Sequence, residues 1–211
     1  MFDVEYKGAN AVVFATKKTR VVYDPGSLPN PAKPLVGADD IVVATEDRFV
    51  GTMTPRLLFD GPGEYETADV SLRGVAARRH IDEESSGMQS TVYRMVVGGV
   101  RVAVIGNIAP ALDEQQLEEI GVVDIVVVPV GGHGYTLDAL SAAKLVRQLE
   151  PKAVIPVHYA DTAVAYEVPQ DEVDGFIQEL GAAVIDAGAK WKVKEANLPG
   201  ELSVVMLARS A

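Results

Sequence analysis

The chain contains no cysteine, which removes disulfides, thiol nucleophiles, thiolate metal ligands and iron–sulfur clusters from its chemistry. It also lacks any apolar run near the roughly 20 residues needed to span a bilayer. Its first residues, Met1-Phe2-Asp3-Val4-Glu5, show neither the basic start nor the apolar stretch of a secretory signal. A cytoplasmic protein with no membrane partner is expected. Positive charge is scarce: 19 Lys and Arg stand against 30 Asp and Glu, a net charge of −11. Such a surface repels a polyanion at long range, so nucleic acid is not an expected partner. Two small basic clusters, Lys17, Lys18 and Arg20, and Arg78 with Arg79, have no interleaved aromatics for base stacking and read as loop charges. The rest is ordinary globular material, 48% hydrophobic and 23% charged, which excludes disordered, collagen-like and coiled-coil chains. Residues 1–211 are read as one domain with a core of its own.

Strand signals dominate the first hundred residues. Val12-Val13-Phe14 and Val21-Val22-Tyr23 flank Lys17, Lys18 and Thr19 as a hairpin. After Asp24-Pro25-Gly26 and a proline-rich loop (Pro29, Pro31, Pro34), the run Asp40 to Thr45 has the continuous apolar character of a strand covered on both faces. The same order returns later. Thr91 to Val97 and Arg101 to Ile105, joined by Gly98-Gly99, form a second hairpin, and Asp124 to Pro129 a second buried strand. The chain therefore reads as two copies of one unit, a pseudo-twofold domain.

Helices belong to the second half. Asp113 and Gln116 read as a capping box opening a helix that runs to Ile120 and stops at Gly121. Thr136 is expected to cap a helix carrying Leu137, Leu140, Val146 and Leu149 up to Pro151. Pro169 is expected to open a third, with Val173, Phe176, Ile177 and Leu180 on one face. Ala153 to Val157 is a further buried strand, and Leu202 to Leu207 an inner or interface strand. Gly61 to Glu64 reads as a turn whose carboxylate bonds to backbone. The predicted architecture is α/β, two sheets with helices outside.

Ligand sites of layered α/β proteins gather where strands end. Here those ends carry Thr45-Glu46-Asp47-Arg48, Gly106-Asn107, Val130-Gly131-Gly132-His133-Gly134-Tyr135 and His158-Tyr159, with His80 ending another strand. All three histidines are among them. The succession Asp24-Pro25-Gly26, Gly61-Pro62-Gly63-Glu64-Tyr65-Glu66, the Asp124–Gly132 strand and Leu149 to Tyr159 resembles the metallo-β-lactamase superfamily over nearly the whole chain. It is most similar to small metal-dependent hydrolases that include the ascorbate-phosphate lactonases. The resemblance implies an αββα four-layer sandwich with two metal ions at the open edge of the paired sheets, and assembly into oligomers through repeated contacts.

The superfamily's Thr-His-x-His-x-Asp-His run is matched by Thr45-Glu46-Asp47-Arg48-Phe49-Val50-Gly51. None of its ligands is present. Asn107 matches the bridging aspartate, and only His80 and His158 match ligand positions. A catalytic zinc takes at least three protein ligands plus a water, so no cofactor is expected. Zinc or another divalent ion is held only if Glu46, Asp47, His80 and His158 form a residual mononuclear site. Arg48 is expected to pair with Glu46 or Asp47 in place of the metal centre. Two functions stay open: a non-catalytic member binding a small anionic molecule or a protein partner, and a hydrolase of a small ester, lactone or phosphoester. In the binding reading Glu46, Asp47, Asn107 and His133 contact the ligand, with His133 serving an anion at a helix N-terminus. In the catalytic one Arg48 supplies charge and His158 acid–base capacity.

Overall fold

The computed structural model describes residues 1–67, 69–81 and 87–210. Two mixed sheets pack face to face. The first holds β1 (Phe2–Gly8), β2 (Ala11–Ala15), β3 (Arg20–Tyr23), β4 (Ile41–Val43), β5 (Leu57–Phe59) and β13 (Trp191–Val193), in the order β13-β1-β2-β3-β4-β5. The second holds β6 (Gly63–Glu66), β7 (Val70–Ala77), β8 (Ser90–Val97), β9 (Val100–Val104), β10 (Ile125–Pro129), β11 (Ala153–Val157), β12 (Ala183–Asp186) and β14 (Ser203–Met206), in the order β12-β14-β11-β10-β9-β8-β7-β6.

The two sheets repeat one topology. Along β1 to β5 the pairings run antiparallel, antiparallel, parallel, parallel, and along β7 to β11 they run the same way. The repeat extends to an ion pair at the foot of each hairpin. Arg20 binds Asp40, and Arg101 grips Asp124 through Nε and Nη2, each at 2.8 Å. That grip holds the Asp124 carboxyl below its usual range against burial. The internal duplication is therefore present in backbone pairing as well as in sequence.

The core lies between the sheets, where Phe2, Phe14, Tyr23, Ile41, Tyr93, Met95 and Ile155 interdigitate. Each such side chain removed from water contributes about 1.5–3 kcal/mol. A second cluster joins the outer face of the eight-stranded sheet to helices α1 (Glu114–Ile120), α2 (Ala139–Leu149) and α3 (Val173–Leu180). Among the described residues the outer face of the six-stranded sheet carries no α-helix. Leu35 and Val36 of the proline-rich segment pack there on Val13, Val22 and Val42. Prolines 29, 31 and 34 remove the amide donors a helix would need, so an irregular segment supplies this layer.

Helix α1 has the expected capping box, with Asp113 accepting from Gln116 N at 2.8 Å and Gln116 Oε1 accepting from Asp113 N at 2.9 Å. The other two helices start later than the sequence suggests. Asp138, not Thr136, caps α2, accepting from Ser141 N at 2.7 Å, because a carboxylate satisfies the helix N-terminus and its partial positive charge together. Thr136 instead accepts from Gly132 N inside the preceding loop. Leu140 is 62% exposed, and α2 buries Ala142, Ala143, Leu145, Val146 and Leu149. Pro169 lies outside α3, since the following residues extend to bond Gly131 and Ala160 through the Asp171 backbone. Glu64 sits on β6, where its carboxylate takes Arg73 rather than backbone. The turn below it is held by Tyr65 OH, which donates to Gly61 O at 2.8 Å. The Leu202–Leu207 run forms β14 inside the sheet, parallel to both neighbours, with Val204 and Val205 fully buried. Among the described residues no helix is long and apolar enough to cross a membrane.

Candidate functional site

The C-terminal ends of β4, β9, β10 and β11 converge at one edge of the sandwich. Two glycines make the approach possible. A Cβ on Gly106 would lie 2.7 Å from Thr45 Cβ, and one on Gly26 would lie 2.7 Å from Gly51 N and 3.0 Å from Arg48 O. Without side chains there, the Asp24-Pro25-Gly26 turn packs directly on the turn Asp47–Phe49 that carries Arg48. Asp24 anchors this corner. Its buried carboxylate accepts from Thr45 N at 2.6 Å and Thr45 Oγ at 2.7 Å. Burial pushes its pKa up to about 7, against the pull of those two hydrogen bonds.

At the centre stands an ion pair. Glu46, 2% exposed, accepts from Arg48 Nε at 2.7 Å and Nη2 at 3.3 Å, and Arg79 Nη1 lies 3.7 Å from it. Burial opposes the Arg48 charge, but the hydrogen bonds it donates to Glu46 outweigh it and raise the guanidinium pKa further. The guanidinium also lies 4.7 Å from the Phe49 ring centre and 5.0 Å from that of Tyr135, a stacked cation. Side-on capture by Glu46 takes one hydrogen from Nε and one from Nη2, which leaves the remaining N–H groups for another acceptor.

Beside the pair runs a chain of amides. Asn10 Nδ2 donates to Asn107 Oδ1 at 2.8 Å, and Asn10 Oδ1 lies 2.9 Å from His158 Nδ1. With Asn10 Oδ1 as acceptor, His158 carries its proton on Nδ1 and keeps a lone pair on Nε2. Burial, with the Arg48 charge adding to it, lowers the His158 pKa to about 3, so the ring is neutral at physiological pH. Asn107 Nδ2 is buried with no hydrogen-bond partner. Three non-glycine residues around the site, Ala9, Asp24 and His158, hold left-handed backbone with φ of 48°, 44° and 51°.

Two cavities adjoin Arg48. One of about 150 Å³ is lined by His158, Tyr135, Tyr166, Ser27, Glu167 and Gln170, among others. The other, about 600 Å³, lies under the proline-rich segment. Gly26, Pro29 and Arg48 line both.

The structure thus brings Glu46, Arg48, Asn107 and His158 to one edge. Asp47 is exposed and faces the larger cavity. His133 stands apart: its Nε2 lies 2.9 Å from Asp171 Oδ1 on an exposed loop. The helix it was to serve begins only at Asp138. His80 meets the site through its backbone, donating N–H to Asn107 O at 2.8 Å. Tyr135 stood among the strand-end residues, whereas Asn10, Tyr166 and Asp24 were not legible as site residues. Asn10 has one sequence signal, the Gly8-Ala9-Asn10 hairpin turn, but its partner lies 148 positions away.

These donors do not suit a divalent ion. Among the described residues no three His, Asp or Glu side chains converge as a metal-binding group. Glu46 is engaged by guanidinium, Asn107 is a neutral amide, and the fixed charge beside His158 is positive.

Sequence and structure comparisons place the chain among proteins of this architecture. The sequence model of the Beta-lactamase superfamily domain matches residues 3–158. A UPF0173 metal-dependent hydrolase of Thermus thermophilus is 29% identical over 191 residues, covering 75% of this chain and 84% of the relative. Another from Aeropyrum pernix is 32% identical over 77 residues, and the match spans only 31% of that relative's length. A metallo-β-lactamase superfamily protein of Thermotoga maritima superposes with a TM-score of 0.75 at 24% identity, covering 98% of this chain and 99% of that one. The two-sheet α/β fold, its duplicated topology and the matched family sequence agree: this chain belongs to the metallo-β-lactamase superfamily.

Proposed function

We propose that this chain is a cytoplasmic, ligand-binding member of its superfamily, in which the Glu46–Arg48 pair stands in place of the metal centre and a small anion binds against Arg48. The observation that carries the reading is the pair itself. A buried carboxylate that would otherwise need a cation finds it in a covalently attached guanidinium 2.7 Å away. The site nevertheless keeps a cavity, stacked aromatics and three strained residues. Strain of this kind costs about 1–3 kcal/mol per residue and concentrates at functional sites. His158, neutral with a free Nε2 lone pair, can accept a hydrogen bond from a hydroxyl on the ligand but not from its anionic head, which carries no donor. Its pKa of about 3 makes it a weak general base near pH 7.

The relatives carry the name metal-dependent hydrolase; a second reading makes this chain one as well, acting on a small ester, lactone or phosphoester through a mononuclear site on Glu46, Asp47, His80 and His158. Elemental analysis of protein purified from zinc- and manganese-supplemented medium separates the two. The binding reading expects well under one metal per chain and a melting temperature unmoved by chelator, because a metal bound only to the native state would raise stability. Acetate titrated into the same protein is expected to shift the Arg48 Nε resonance. A tight stoichiometric metal, lost in His158→Ala, would overturn the proposal in favour of the hydrolase.

A further inference from the structure

The two cavities that share Arg48 differ in chemistry. The smaller, about 150 Å³, is lined by His158, Tyr135, Tyr166 and Ser27, of which Tyr166 and Ser27 already donate to Tyr159 O and Asp24 O, and has room for a polar head and little more. The larger, about 600 Å³, lies in the range of pockets that hold drug-sized molecules, about 300–1,000 Å³. Its walls include Pro31, Pro34, Leu35, Val50 and Met53. Several of these apolar side chains stay in contact with solvent, Met53 at 47% exposed. Prolines fix φ, so this trough is formed before anything enters it and little conformational entropy is lost on filling. Arg48 stands at the junction with N–H groups that Glu46 does not take. Asp47 borders the larger cavity and Glu167 the smaller, and both oppose a second negative charge on a ligand.

We infer that the ligand is an amphiphilic monocarboxylate, its head held by the Arg48 N–H groups and its hydrocarbon body lying in the proline-rich trough. This rests on the anion-binding reading above and goes beyond it by assigning the second cavity. The Arg48 N–H groups that Glu46 leaves, the lining residues Gly26, Pro29 and Arg48 that the two cavities share, and the apolar wall argue for this occupant over an unrelated apolar surface contact.

The test is a titration of the full chain with straight-chain carboxylates from acetate to octanoate, alongside octanol, octylammonium and succinate, read by calorimetry. Burial of a methylene is worth about 0.8 kcal/mol, or about fourfold in affinity. In an open trough the expected gain is about two- to fourfold per added methylene. Octanoate is expected to exceed octanol, octylammonium and succinate by at least tenfold. Met53→Asp, on the exposed wall, is expected to lower the chain-length slope, and Arg48→Met to erase the preference for octanoate over octanol. Carboxylates that bind with no dependence on chain length would overturn this inference and leave small-anion binding standing. Octanol binding as tightly as octanoate would also overturn it, since the head would then be irrelevant. Failure of every carboxylate, acetate included, would remove the anion-binding reading itself.

Discussion

Replacing Arg48 with Met isolates the energetic role of the central pair. The Glu46 side chain is 1% exposed and that of Arg48 32%, so removing the guanidinium strips the nearest cation from a carboxylate that water does not reach. Breaking a fully buried pair costs about 3–5 kcal/mol. Two features reduce this here: Arg48 is partly solvated, which weakens the pair in the native state, and Arg79 stays 3.7 Å from Glu46. The expected loss for Arg48→Met is therefore roughly 2–3 kcal/mol. In a chain of this size that lowers the melting temperature by roughly 4–12 °C. Glu46→Gln costs less, about 1 kcal/mol, because the partly exposed guanidinium can rehydrate. The double variant, with no buried charge to satisfy, is expected to recover part of the loss, giving a coupling energy of about 1–2 kcal/mol in a urea-denaturation cycle. Additive effects, or an Arg48→Met variant within about 0.5 kcal/mol of the parent, would refute Arg48 as the cation that balances the buried Glu46 charge.

Asp24 supplies a pH signature. A carboxyl whose pKa is about 7 when folded and about 3.9 when unfolded holds its proton more tightly in the native state. Its contribution is fully present below about pH 4 and is lost as pH rises through about 7, a change of up to about 4 kcal/mol. Asp24→Asn, which keeps a donor and an acceptor for Thr45 and tolerates left-handed backbone, is expected to gain stability relative to the parent steadily from pH 4 to 8. A constant difference across that range in chemical denaturation would contradict the assignment. Two glycines with similar φ separate contact from backbone strain. Gly134, at φ 71° with nothing within 4 Å of its notional Cβ, and Gly106, at φ 69° with Thr45 at 2.7 Å, are compared as Ala variants. Gly134→Ala is expected to cost about 1–2 kcal/mol, and Gly106→Ala clearly more, by thermal melting. Equal costs would mean that the close approach of the two strand ends matters little.

The sequence determined the sheets and their duplication, because both depend on local signals. Continuous β-branched runs such as Ile125–Val128, short and flanked by Asp124 and Pro129, read as strands buried on both faces, and the hairpins at Lys17–Thr19 and Gly98-Gly99 fix their own pairing. Glu46, Arg48 and Asn107 were also legible as polar residues at strand ends, and Arg48 as a partner of Glu46 or Asp47, a choice the structure made in favour of Glu46. Helix starts were less so, since Thr136 and Asp138 are both good caps and the choice fell to the loop that binds Thr136. Tertiary structure alone decided which polar groups meet. Asn10 reaches Asn107 and His158 across 97 and 148 positions, and Tyr135 covers Arg48 from a different strand end. His133, equally plausible in sequence, turns to Asp171 instead. Such encounters are set by how two sheets pack and which loops their ends can bring together, and no local pattern in the chain encodes that distance.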